Sequence, residues 1–208
     1  MKLPVISFLA VVAIQASDAT VIAVDINSSE NPTATQTDFA ALVVGRNDGA
    51  GSLTTGGILF TVVGGAGSRD RSGPNNLTRD TAFPATAAGS QIGVTFGGAG
   101  DLPAGEWKLE VWSHDNDGGT PVGDLLVGVT IGGIEQTPVS ATSGGDIDPP
   151  AAVVMFTSDG SSAYGLYVEE DNTNNRARLN GFRLTLVPEP SVALLSGLGV
   201  LALFRRRR

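Results

Sequence analysis

Glu106-Trp107-Lys108-Leu109-Glu110-Val111 alternates charged and apolar side chains without a break. Successive side chains of a β-strand point to opposite faces, so this stretch sends Trp107, Leu109 and Val111 into a core and Glu106, Lys108 and Glu110 toward water. A helix would scatter the same apolar residues around its surface. Segment 182–187 repeats the pattern, with Phe182, Leu184 and Leu186 inward and Arg183 and Thr185 outward. Short apolar or alternating runs recur along the chain at 21–26, 39–44, 58–63, 92–96, 106–112, 125–131, 153–156, 164–169 and 182–187. Each is strand-sized and bounded by Gly, Asn, Asp, Pro or Ser. No window of a dozen residues sustains a helical period, and 28 glycines disfavour long helices. Strand-sized segments without a helical crossover predict an all-β fold, a single antiparallel β-sandwich of jelly-roll topology, with a closed barrel as the alternative. Segments 64–76 (with Arg69-Asp70-Arg71, read as a self-paired surface loop), 97–105 and 137–150 read as loops. Strand density is the same on either side of them, so one domain is expected.

Composition narrows the chemistry. The 208 residues include no cysteine, which removes disulfides and thiolate metal sites. The net charge is −8 for the chain and −11 for residues 20–187, because five of the 13 basic side chains lie outside that span. Nucleic-acid binding needs a basic footprint and is not expected.

The two ends read as sorting segments. Met1-Lys2, an apolar run over 3–14 and small residues at Ala16, Ser17 and Ala19 form a signal-peptide pattern over 1–19, with cleavage after Ala19 or, as the alternative, Ala16. At the other end Val187-Pro188-Glu189-Pro190-Ser191 precedes an uncharged run over 192–204 and then Arg205, Arg206, Arg207 and Arg208. With Ser191 the run spans about 21 Å as a helix, short of a hydrocarbon core of roughly 30 Å. The arginines would hold their end in the cytoplasm. These three parts, over 188–208, resemble the C-terminal signal of bacterial PEP-CTERM proteins. The resemblance implies a membrane-embedded exosortase as partner, a transient inner-membrane anchor through a short C-terminal hydrophobic helix, and delivery to the cell envelope, surface or extracellular matrix of a Gram-negative-type bacterium.

Three motifs within 20–187 carry a second resemblance. Val21-Ile22-Ala23-Val24-Asp25-Ile26-Asn27 opens the domain, Leu102-Pro103-Ala104-Gly105 leads into the central strand, and Leu179-Asn180-Gly181-Phe182-Arg183-Leu184 closes it. Together they resemble galactose-binding-like, or malectin-like, β-sandwiches. That family implies either a carbohydrate site on rim loops or a purely structural module.

The richest polar cluster is Trp112-Ser113-His114-Asp115-Asn116-Asp117-Gly118-Gly119. Asp115, Asp117 and Asp124 fall at spacings of a calcium loop, giving Ca2+ as a candidate cofactor, although Ser113 stands at its first position. An ordinary Asx turn is the alternative. Trp112 breaks the alternation set by Trp107 and should face outward, where an indole could stack on a sugar with His114 and Asp115 beside it. Packing beneath the next loop is the alternative for Trp112. Catalysis is not expected. His114 is the only histidine, no Gly-x-Ser-x-Gly elbow exists, and Glu169-Glu170-Asp171 reads as a solvated hairpin loop. The sequence thus reads as an exported surface or matrix protein with a structural or adhesive role. The alternative is a non-catalytic carbohydrate-binding module with a rim site near Trp112, taking extracellular polysaccharide as partner.

Overall fold

A computed structural model describes residues 19–71, 75–85, 91–114, 124–142, 149–170 and 177–188. The strands in chain order are β1 (Val21–Ser28), β2 (Ala40–Val44), β3 (Ser52–Thr55), β4 (Ile58–Val63) and β5 (Gly65–Asp70). After one helical turn, α1 (Asn76–Arg79), come β6 (Asp80–Pro84), β7 (Gln91–Phe96), β8 (Gly105–Trp112), β9 (Asp124–Ile131) and β10 (Ile134–Glu135). β11 (Val139–Thr142), β12 (Ala152–Ser158), β13 (Tyr164–Glu170) and β14 (Gly181–Val187) complete the domain. All nine runs picked out by alternation fall on strands.

The strands form two main sheets. The first has the order β12-β8-β14-β1-β2, and the second β10-β9-β13-β7-β4-β3 with β11 also paired to β9. From β7 to β8, β9, β12, β13 and β14 the chain passes from sheet to sheet at every step but the β9–β11 hairpins, a jelly-roll path. Alternation explains why these strands lock in register. Leu109 of β8 faces Leu184 of β14 on one side and Val154 of β12 on the other. The inner faces interlock through Phe60, Phe96 and Phe182, whose ring centroids lie 5.4–5.7 Å apart. Trp107 is fully buried and its indole N–H donates to Pro103 O at 3.0 Å, which ties the Leu102-Pro103 turn to the core. Hairpin β3–β4 turns at Gly56-Gly57, with φ of 58° and 79°, the left-handed pair that a tight two-residue hairpin requires.

The architecture departs from a single antiparallel sandwich in two ways, and three expected loops prove to hold strand residues. β1 and β2 run parallel, so the chain must cross over between them, and residues 29–39 do so above the outer face of the first sheet. Segment 64–76, expected to be a loop, supplies β5, which pairs with β6 as a third, two-stranded sheet. Within it Asp70 is bound by Arg79 of α1, so Arg69-Asp70-Arg71 is no self-paired surface loop. Segment 137–150 likewise contains β11. Glu169 and Glu170 belong to β13, and Glu170 is buried, so the expected solvated loop does not begin there.

Thr20–Val187 forms one compact unit, and Met1–Ala19 with Pro188–Arg208 are grouped as another. The expected signal peptide and C-terminal hydrophobic helix lie outside the described residues, except Ala19 and Pro188. Among the described residues no helix is long and apolar enough to cross a membrane.

Candidate functional site

The expected sugar platform is not one. Trp112 does point away from the core, as its place in the alternation of β8 requires, but it is only 1% exposed. Phe39, at the end of the crossover, packs edge-on against it at 5.5 Å. The Arg183 guanidinium lies 5.3 Å from both ring centroids. The covered indole cannot stack on a ligand. His114 is half-buried, and its backbone N–H donates to Asn180 Oδ1 at 2.6 Å. Asp115 and Asp117 lie outside the described residues. Asp124 begins β9, on the opposite sheet from β8, and the placement of its side chain is not described.

A different cluster lies on the second sheet, where Tyr167 is 4% exposed and Gly93, Gly128 and Gly165 are buried beside it. On the outer side of the second sheet β13 runs between β7 and β9 in a checkerboard register. Tyr167 sits between Gly93 and Gly128, and Gly165 between Thr95 and Thr130. The same Gly-Val-Thr triplet, at 93–95 and 128–130, produces both flanks. The Tyr167 ring lies across Gly128 so closely that a Cβ there would come within 2.5 Å of its Cζ. A Cβ on Gly93 would meet Leu166 O at 2.6 Å, and one on Gly165 would meet Thr130 Oγ1 at 2.9 Å. Mid-strand glycine usually weakens a strand, so three together mark a face where close approach matters more.

Polar groups surround Tyr167. Gln91 Nε2 donates to Glu135 Oε1 at 3.0 Å and to Glu169 Oε2 at 3.1 Å, an amide–carboxylate bridge that reaches from β7 across to β10. Half-buried Thr61, Thr95 and Thr130 supply hydroxyls on the same face, with Glu135 directly opposite Thr130. Tyr167 donates its hydroxyl to Gln136 O at 2.9 Å. Burial, and then the negative charge of Glu135 and Glu169, pushes its phenol pKa up. Sequence reading missed this face. The signal that could have found it is the glycine repeated inside two apolar strands.

A second polar cluster lies under the crossover. Asp25 and Asn27 project from the outer face of β1, and both are fully buried. Gln36 N–H donates to Asp25 Oδ2 at 2.6 Å, while Asn27 Nδ2 donates to Pro32 O at 3.0 Å and Thr35 Oγ1 at 2.8 Å. Asp80, at the head of β6, is also fully buried, and Asn180 Nδ2 donates to its backbone oxygen at 2.6 Å. Burial pushes the Asp25 carboxyl up to about 7 against the partial relief of the Gln36 amide. Burial likewise pushes Asp80 up to about 7, with the charges of Asp70 and Asp25 adding to it and the Ser28 amide opposing. Among the described residues no group of three His, Cys, Asp or Glu side chains could hold a metal ion.

No family model matches the chain, and no curated protein matches it. Several solved structures are similar. A Bacillus subtilis protein, YXIM, is 16% identical at a TM-score of 0.43, covering 81% of this chain and 40% of its own. A family 35 carbohydrate binding module from Clostridium thermocellum is 10% identical at 0.42, covering 60% and 90%. The CBM22-1–GH10 modules of a Clostridium thermocellum xylanase are 16% identical at 0.36, covering 71% and 27%. This chain therefore spans less than half the length of the Bacillus protein. All these scores lie below 0.5, and the architecture above stands on the chain's own strand pairing.

The comparisons correct the PEP-CTERM reading. No family model of that or any other kind matches. The exosortase partner, the transient inner-membrane anchor and the envelope location rested on that resemblance and are withdrawn with it, as is the structural or adhesive main reading. Glu189, Pro190, Ser191 and Arg205 to Arg208 lie outside the described residues. Val187 ends β14, and Pro188 follows it, exposed.

Proposed function

We propose that Thr20–Val187 is a non-catalytic carbohydrate-binding β-sandwich whose ligand lies along the outer face of the second sheet. The observation that carries this reading is the checkerboard of Gly93, Tyr167 and Gly128 beside Thr95, Gly165 and Thr130. A saccharide is flat, rimmed with hydroxyls and only partly apolar. Thr61, Thr95, Thr130, Gln91, Glu135 and Glu169, partly or fully exposed around the buried Tyr167, would take its hydroxyls as paired donors and acceptors. Glu135 and Glu169 make the face acidic, and the chain carries a net charge of −8. Both disfavour uronic acids and favour neutral sugars.

A glycan array probed with the full chain tests the proposal. Binding to neutral glycans that the double variant Gln91→Ala, Glu169→Ala loses while still melting cooperatively supports it. A silent array from folded protein, or binding that the double variant retains in full, refutes it.

A further inference from the structure

The register of the second sheet lays one polar row across the strands from β3 to β10. Ser52 of β3 stands opposite Thr61 of β4, and Thr61 opposite Thr95 of β7. Thr95 stands opposite Gly165 of β13, Gly165 opposite Thr130 of β9, and Thr130 opposite Glu135 of β10. Residues directly opposite in antiparallel strands project from the same face. Their chain neighbours Phe60, Val62, Val94, Phe96, Leu166 and Val129 are buried in the core, so the row points outward. Ser52 and Glu135, at its two ends, are exposed, and Thr61, Thr95 and Thr130 are half-buried. Gly165 is the one position without a side chain, and Thr130 Oγ1 closes that gap, 2.9 Å from where a Cβ would stand. The Thr95 hydroxyl donates to Thr61 O at 3.4 Å, a long bond that leaves its lone pairs free to accept. On β4 the row is bordered by Leu59 and Val63, which share the face of Thr61 and are 48% and 44% exposed. Hydroxyls and C–H surface thus lie side by side, as they do on a pyranose.

We propose, on the carbohydrate reading of this face, that it holds an internal stretch of a linear neutral polysaccharide laid across the strands along the hydroxyl row, and not a single terminal sugar. Neighbouring strands lie about 4.8 Å apart, so the row spans about 24 Å and repeats a polar group at every strand except β13. A ligand matched to such a row must itself repeat along one line, as consecutive residues of an extended sugar chain do. A single ring covers about one strand spacing and leaves most of the row to water. A chain laid along β13 would instead meet Gly165 and the covered Tyr167, whose hydroxyl is already given to Gln136 O. The exposed residues at both ends leave the row open, so a longer chain can continue past it.

Calorimetric titration of the full chain with xylo- and galacto-oligosaccharides, from the monosaccharide to the hexasaccharide, tests the proposal. Kd should tighten about two- to tenfold with each added residue up to about five residues, and then level off. Ser52→Ala and Thr61→Val, at the end of the row remote from Tyr167, should each weaken hexasaccharide binding about two- to tenfold while melting as the wild type does. Equal affinity at every length, or hexasaccharide binding that both variants keep in full, would overturn the proposal and leave the carbohydrate reading standing. No binding at any length, from a chain that melts cooperatively, would remove both.

Discussion

Replacing Asp80 by Asn should reshape the dependence of stability on pH. Asp25 and Asp80 both have an ordinary carboxyl value of 3.8 that burial in the fold raises to about 7. Between those values the folded chain holds protons that the unfolded chain has released. Stability from these groups is therefore fully present below about pH 4 and is lost as pH rises through about 7. One carboxyl shifted by about three units corresponds to roughly 4 kcal/mol at 1.36 kcal/mol per unit. The two groups act on each other, so about 2–4 kcal/mol is the sensible range for removing one. Asp70 works with the opposite sign, because Arg79 holds its carboxyl below the ordinary value, and that contribution is lost on acidification. Wild-type stability should peak in mildly acid solution and fall toward pH 8. Asp80→Asn, nearly isosteric and uncharged, should flatten that fall. Urea titrations at pH 5, 6, 7 and 8 would measure it, with the variant gaining about 2–4 kcal/mol on the wild type between the extremes. Parallel curves for the two proteins would refute the reasoning.

Three further outcomes follow from the packing. Trp112→Ala should destabilise by about 3–5 kcal/mol in urea, because it empties the space under Phe39 and Arg183; if the variant folds, glycan affinity should be unchanged, and a selective loss of affinity would restore the rim site. Gly128→Ala should push the Tyr167 ring off the sheet at a cost of about 1–3 kcal/mol, read as a lower urea midpoint, with no cost if the ring can move freely. Phe182→Ala should cost about 3–5 kcal/mol by breaking the three-phenylalanine contact, and a loss below 1 kcal/mol would mean the inner faces do not interlock there.

Alternation made the sandwich legible, since Glu106 to Val111 and Phe182 to Leu186 carry their facing in the sequence itself. β5 was not legible, because Gly-Ala-Gly-Ser-Arg-Asp contains no apolar period. Its place is fixed by distant partners, such as Ser68 bonded to Val44 O and to Ser28. Strand direction was equally hidden, and nothing in Ala40–Val44 says that it runs parallel to β1. For Trp112 the pattern gave the correct face but could not show the cover, which comes from Phe39 and Arg183 far away in sequence. Asp25 was visible as a charge inside an apolar strand. Its amide partner is Gln36 of the crossover, 11 residues later, which a local strand pattern does not encode. The glycines of β7, β9 and β13 stood in plain view, yet their side-by-side register exists only once the sheet has formed.

The carbohydrate assignment is tested most directly by following backbone amide signals of the isotope-labelled chain while adding soluble neutral oligosaccharides, such as xylo- and galacto-oligosaccharides. Saturable shifts centred on Gly93, Thr95, Thr130, Gly165 and Tyr167 are the expected result. Shifts centred on Trp112 and His114, or a spectrum that stays unchanged at millimolar ligand, would contradict it.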